Sequence, residues 1–329
     1  MILYLAGSPS LKHMEREANR ARANNFLFTF AHSGARQCAK HFCVQPQRRI
    51  FIDSGAFTVW TKGKKVNLDQ YIAFCKEIKS MAKCQLVFAA LDVIPGRKNG
   101  ATPTDGEIKK AFDEGWDNYQ TMKQEGISPC LMTFHQFDRR RWLTQIADDS
   151  DYFAVAPRKS GVKESEKATF LGNVFNYIQG NEGPPNKKVH GLGISSLEWM
   201  KQFPFFSIDN SGWLQSVRSH SRAHISRAGT VYKRRSYWEK RALADGIPAE
   251  GLADLRKMLG YRPKEEKADP EGHSGEYFLM YLAMESAVEM ECRITDSWRQ
   301  RGVDWGDHPS HDRLPFLCNS LPRKASVEA

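Results

Sequence analysis

The chain has 329 residues, of which 41% are hydrophobic and 26% charged, enough apolar material for one large domain or two ordinary ones and too much for a disordered or fibrous protein. Its formal charge of +10 and pI near 9.2 point to an anionic partner, and because no basic amphipathic helix of lipid-binding character stands out, nucleic acid suits that charge better than a membrane. Seven cysteines, at 38, 43, 75, 84, 130, 292 and 318, are odd in number, lie mostly in apolar periodic segments and form no CxxC pair, the usage expected of a reducing cytoplasm.

The opening Met1-Ile-Leu-Tyr-Leu-Ala-Gly7 is apolar but short, has no basic leader and runs directly into polar residues. It reads as a buried strand, neither a signal peptide nor a membrane span. Seven more apolar, β-rich runs follow, at 26–31, 49–53, 85–91, 129–134, 151–156, 187–193 and 205–208. Between them lie segments of helical period, such as Leu68, Tyr71, Ile72, Cys75 and Ile78, or Ile108, Ala111, Phe112, Trp116 and Tyr119, each set lining one helical face. Strand alternating with helix predicts a parallel sheet covered by helices, an α/β fold, and eight such units match the (β/α)8 TIM barrel, typically ~250 residues long. The alternative is a doubly wound open sheet, but no GxGxxG follows the first strand, where a nucleotide-binding open sheet carries it.

The barrel domain is accordingly placed at 1–240, and the pattern changes over 241–329. There the chain has Gly246-Ile-Pro248, a Lys/Glu/Pro/Gly-rich run at 263–275, and an apolar helix around 277–292 marked by Tyr277, Met280, Leu282 and Met284. This segment reads as a C-terminal helical appendage whose helix packs on the barrel, with a polar tail expected to be disordered from about residue 320.

In such a barrel, side chains at the C-terminal ends of the strands converge on one mouth, so those ends are where chemistry is sought. The third run ends at Asp53-Ser-Gly-Ala, the fourth at Asp92, the fifth at His135-Gln136, the seventh at His190-Gly-Leu-Gly193 and the eighth at Asp209. A single aspartate there is ordinarily a turn or N-cap residue. Three at one rim raise one another's pKa, a cost usually tolerated only where a cation, a metal or acid/base chemistry uses it.

Five motifs in order over residues 50–215 resemble the tRNA-guanine transglycosylases, and more closely their DNA-acting relatives, the 7-deazaguanine DNA transglycosylases of bacteria and phages. They are Phe51-Ile-Asp-Ser-Gly-Ala-Phe57, Ala90-Leu-Asp-Val93, Phe134-His-Gln-Phe137, Lys188-Val-His-Gly-Leu-Gly-Ile194 and Phe206-Ser-Ile-Asp-Asn-Ser-Gly-Trp213. The resemblance implies a pentosyltransferase that exchanges guanine in DNA for a 7-deazaguanine base, preQ0 or a derivative. Asp209 is then the nucleophile that forms a covalent glycosyl-aspartate, and Asp53 the general acid/base. Asp92 reads the guanine edge, while Gln136 and the backbone N–H groups around Gly191 and Gly193 bind the base carbonyl. Ser54 and Gly55 belong to the same base pocket, and Phe57 either stacks on the base or is a core residue.

The tRNA enzymes carry a CxCxxC zinc site that this chain lacks, so no cofactor is expected. Looser sets, Cys292/His308/His311/Cys318 and His32/Cys38/His41/Cys43, have spacing that arises by chance, and His220/His224 reads as solvated or phosphate-facing. Losing the zinc segment favours DNA over tRNA. Arg218, Arg222, Arg227, Lys233, Arg234 and Arg235, interleaved with Tyr232, Tyr237 and Trp238, suit phosphate contact with stacking on an unpaired strand, against the plainer reading of a solvated basic helix. A cytoplasmic enzyme is expected, in the host cytoplasm if phage-encoded, with assembly as a homodimer left open. The alternatives are a tRNA-acting transglycosylase, a barrel hydrolase using the same carboxylates, and a non-catalytic nucleic-acid-binding barrel.

Overall fold

The computed structural model describes residues 1–63, 65–96, 102–158, 161–179, 184–214, 224–227, 230–233 and 276–306. Each expected apolar run forms a strand: β1 (Ile2–Ala6), β2 (Asn25–Thr29), β3 (Arg49–Asp53), β4 (Gln85–Ala89), β5 (Cys130–Leu131) with β6 (Thr133–His135), β7 (Tyr152–Ala156), β8 (Lys188–Gly191) and β9 (Ser207–Asn210). All neighbours are parallel, in the order β5-β4-β3-β2-β1-β9-β8-β7-β6.

The fifth run is one strand broken at Met132. Before the break it pairs with β4, through Leu131 opposite Ala89; after it, with β7, through Thr133 opposite Ala154. The Met132 carbonyl already accepts from Ala154 N at 2.9 Å. The two ends of the sheet order are therefore consecutive pieces of chain, and the eight runs close into a barrel as the strand–helix alternation predicts.

Helices α1 (Leu11–Arg20), α2 (Ser33–Cys43), α3 (Ala56–Trp60), α4 (Leu68–Met81), α5 (Asp105–Gln124), α6 (Arg140–Asp149), α7 (Glu164–Gln179) and α8 (Leu197–Gln202) occupy the connections. Local sequence starts the longer ones. Asn67 caps α4 by accepting from Gln70 N at 2.9 Å, and Thr104 with Glu107 forms a reciprocal capping box at the start of α5. Both bury the faces predicted by their periodicity, Tyr71, Ile72, Cys75 and Ile78 in α4, and Ile108, Ala111, Phe112 and Tyr119 in α5.

Inside the barrel, side chains at every second position of the strands fill the interior, Ile2, Tyr4, Ala6, Leu27, Phe51, Val87, Ala89, Leu131 and Ala154, and Phe206, just before β9, joins the same cluster. Tyr71 ties a helix to this wall. Its hydroxyl lies 2.8 Å from the Ala89 carbonyl and 3.2 Å from that of Ile52, so one buried proton serves the ends of two adjacent strands. Tyr71→Phe leaves those carbonyls short of a donor, and an expected loss of about 1–2 kcal/mol would be read by urea denaturation.

By internal contacts the chain forms two compact units. The first, Met1–Ser8, Asn25–Asn210 and Trp298–Trp305, contains the whole barrel; the second comprises Pro9–Asn24, Ser211–Ser297 and Gly306–Ala329. The division differs from the expected boundary at 240, because residues 211–240 carry no linker-like composition to mark where the strand–helix alternation has ended. In the second unit the expected apolar helix runs longer than its apolar stretch, as α9 (Glu276–Gln300), with Met280, Met284, Val288 and Cys292 buried. Arg20 of α1 lies over the ring of Tyr281, 6.0 Å from its centroid.

The end of α9 belongs to the barrel unit. Trp298 donates its indole N–H to the Met200 carbonyl at 2.8 Å, and Trp305 packs edge-on against Phe206. The 263–275 run and the tail from 320 lie outside the described residues.

Candidate active site

The period-2 alternation of the strands places the site residues. Phe51 is interior, so Asp53, two residues on at the end of β3, points to the same side; Ser207 and Asp209 are related in the same way on β9. Asp92 follows β4 by three residues and His135 ends β6.

The Asp53-Ser-Gly turn holds its aspartate in place. Gly55 has φ +77°, and its N–H donates to Asp53 Oδ2 at 3.1 Å. A Cβ there would lie 2.4 Å from Ala31 Cβ and 2.5 Å from Thr29 Oγ1, so both backbone conformation and space demand glycine. Ser54 is buried and accepts from Ala56 N at 3.3 Å. Ser54 and Gly55, expected in the base pocket, thus build the turn that aims Asp53.

Burial pushes the Asp53 carboxyl up to about 6, and the charge of Asp209, with a smaller push from Asp92, adds to it; the Thr29 hydroxyl and the Gly55 N–H oppose the rise. The charges of Asp209 and Asp92 therefore reach Asp53 and add to the burial that drives it toward its protonated form.

Asp209 Oδ1 accepts from Gly193 N at 2.7 Å. That N–H, expected to face a base carbonyl, is occupied by the aspartate instead, and the N–H of Leu192 donates to Val155 O at 2.9 Å. Gly191 is a packing position: a Cβ there would come within 2.6 Å of Ile194 Cγ1 and 2.9 Å of Phe205 Cε1. In this structure the glycine segment after β8 supports the carboxylate through the Gly193 N–H.

Asp92 is engaged by a residue to which sequence reasoning assigned no role. His135 Nε2 lies 2.9 Å from Asp92 Oδ2, and Asp138 stands 3.6 Å from its Nδ1. Burial alone would push His135 down, but Asp92 and Asp138 outweigh it and hold the imidazole well above its ordinary range. Asp92 is thus held through one oxygen by the His135 imidazole. Gln136, next in the chain, accepts from Arg158 N at 3.0 Å through Oε1, which leaves its amide nitrogen as the outward donor. Phe57, on α3, is 43% exposed, so it is no core residue and presents an aromatic surface beside the rim.

Within the basic stretch, Arg227 and Lys233 fall in an antiparallel pair, β10 (His224–Arg227) and β11 (Thr230–Lys233), with His224 opposite Lys233 and Arg227 opposite Thr230. The described residues 224–227 and 230–233 are therefore extended, where the plainer reading of this stretch is a solvated basic helix. Arg218, Arg222, Arg234 and Arg235 lie outside the described residues, as do His308, His311 and Cys318. Among the described residues no three His, Cys, Asp or Glu side chains are placed to hold a metal ion, the His32/Cys38/His41/Cys43 set included. Burial drives the Cys38 thiol up to about 11 and that of Cys75 to about 12, far from a nucleophilic thiolate at neutral pH. No described helix is long and apolar enough to cross a membrane.

Comparison with protein-family models and with curated proteins by sequence gives no match. Among solved structures the chain is similar to CdNal from Clostridium difficile, seen in complex with mannosamine (9% identity, 88% of this chain and 98% of that one, TM-score 0.41). It is also similar to KD(P)GA from T. tenax (10%, 88% and 99%, TM-score 0.36) and to a protein of Aquifex aeolicus VF5 (12%, 66% and 85%, TM-score 0.41).

Proposed function

We propose that this barrel is a DNA guanine transglycosylase that exchanges guanine for a 7-deazaguanine through a covalent glycosyl-aspartate. The observation that carries the reading is the Asp53 carboxyl, raised to about 6 by burial and by Asp209 and Asp92. An acid in that range can give and take a proton near neutral pH, while Asp209 accepts a backbone N–H on one oxygen and keeps the other for attack.

Asp209 Oδ2 attacks C1′ of the nucleotide. The C1′–N9 bond breaks, and the departing guanine takes its electron pair and the Asp53 proton. The incoming base gives its N9 proton to Asp53 and attacks C1′, the C1′–oxygen ester bond breaks, and Asp209 is returned as a carboxylate. Two inversions give net retention. Asp92 accepts from the ring N–H and exocyclic amine that guanine and 7-deazaguanines share, Gln136 donates its amide N–H to the base carbonyl, and Phe57 stacks on the base. The basic residues at 218–235 follow the phosphates of an unstacked strand.

The test is expression in cells supplied with preQ0, followed by digestion of DNA and tRNA and mass spectrometry of the nucleosides. Deazaguanine in DNA is the expected result. Deazaguanine in tRNA alone assigns the enzyme to the tRNA-acting branch, and guanine release from DNA without incorporation assigns it to the hydrolases; either overturns the proposal.

A further inference from the structure

His190 is wholly buried within the barrel, its ring stacked on Phe51 at 4.4 Å between centroids and 6.0 Å from that of Tyr4. A polar ring in such surroundings needs partners. Its Nδ1 lies 2.6 Å from Ser207 Oγ, which itself lies 2.6 Å from Tyr152 Oη. Its Nε2 has no hydrogen-bond partner of full geometry and faces Asp209 Oδ1 at 3.4 Å. Three strands thus supply a line of polar groups that ends on the candidate nucleophile: Tyr152 from β7, His190 from β8, Ser207 and Asp209 from β9.

We infer that His190 is a positioning residue for Asp209, holding Oδ1 together with the Gly193 N–H so that Oδ2 is the oxygen presented to the sugar. The inference rests on Asp209 being the nucleophile. A carboxylate can only accept, so the hydrogen facing it sits on Nε2. A neutral ring then leaves Nδ1 as acceptor, Ser207 donates to it, and the Ser207 oxygen accepts from the Tyr152 hydroxyl. The chain has one direction and fixes one tautomer. A separation of 3.4 Å is long for a hydrogen bond, and such contacts at catalytic groups tighten when substrate is bound.

The experiment compares wild type with His190→Phe, which keeps the stacking on Phe51 but has no donor, using base-exchange kinetics and denaturing gels of the DNA adduct. The kcat of His190→Phe should fall about 10²-fold, the scale of misplacing a reacting group by an ångström, with KM for DNA within about twofold. A pair of variants separates donation from packing. His190→Gln places an amide near Nε2 and should recover to within about tenfold of wild type, whereas His190→Asn places one near Nδ1 and should not. A wild type that forms no adduct removes the nucleophile reading itself. Given an adduct in wild type, a folded His190→Phe with unchanged kcat, or equal rates for His190→Gln and His190→Asn, overturns the positioning role.

Discussion

Asp209→Asn abolishes base exchange and the covalent DNA adduct, with a loss on the order of 10⁴-fold or more, the scale seen when an enzyme nucleophile is removed. The amide is nearly isosteric, and its oxygen still accepts the Gly193 N–H that the carboxylate accepts at 2.7 Å, so the segment after β8 keeps its place. DNA binding should stay within about threefold, because phosphate contacts and not the rim acids supply most affinity for DNA. Stopped-time exchange assays with labelled base, denaturing gels and a binding isotherm read the three quantities together. Retention of the adduct, or a loss of binding as large as the loss of exchange, would remove Asp209 from the chemistry. The same substitution takes away one of the two charges that push Asp53 up, so the Asp53 carboxyl should titrate lower in the variant, as carboxyl-carbon NMR would record.

The barrel was legible in the sequence because its information is periodic. Each strand is a short apolar run and each helix an apolar stripe, so the eight runs, and the faces Tyr71/Ile72/Cys75 and Ile108/Phe112/Tyr119, could be read without tertiary knowledge. Asp53, Asp92 and Asp209 were legible for a related reason, as polar residues where apolar runs stop. What could not be read is set by register between strands. Nothing local says that His190 stands opposite Ser207, or that His135 reaches across to Asp92. Period-2 alternation could at most have set Ser207 on the same side as Asp209; its partners come from neighbouring strands.

The glycines show the opposite limit. Gly55, Gly191 and Gly193 were recognisable as special positions, but a glycine does not announce whether it admits a ligand or a neighbouring side chain. Gly55 makes room for Thr29 and Ala31, Gly191 for Ile194 and Phe205, and Gly193 lends its N–H to Asp209. Gly55 and Gly193 each donate a backbone N–H to a rim carboxylate, whereas Gly191 only makes room for packing. The basic stretch fails differently: dense charge and aromatic residues hide the alternation that would have revealed β10 and β11.

Asp53→Asn should lower exchange by about 10²–10⁴-fold and at the same time stabilise the fold at neutral pH. An ordinary aspartate titrates near 3.8, whereas this one is raised to about 6, first by burial and then by Asp209. The native chain therefore holds the Asp53 proton up to a higher pH than the unfolded chain does. The stability this group contributes is complete below about 3.8, declines as pH rises, and is lost once pH has passed about 6. That gap corresponds to about 3 kcal/mol at most, so urea unfolding near pH 7.5 should find Asp53→Asn more stable than wild type by about 1–3 kcal/mol, and no such gain near pH 3.5. Activity depends on the same proton. Guanine departure requires protonated Asp53, so single-turnover adduct formation in wild type should fall about tenfold per pH unit above about 6, and Asp53→Asn should flatten that limb. A variant less stable than wild type at neutral pH would mean that the carboxylate is compensated in the fold; an unchanged pH limb would mean that another group delivers the proton. Gain of stability with loss of rate is the signature of a strained acid kept for its chemistry, because no packing role for a carboxyl at that position produces both.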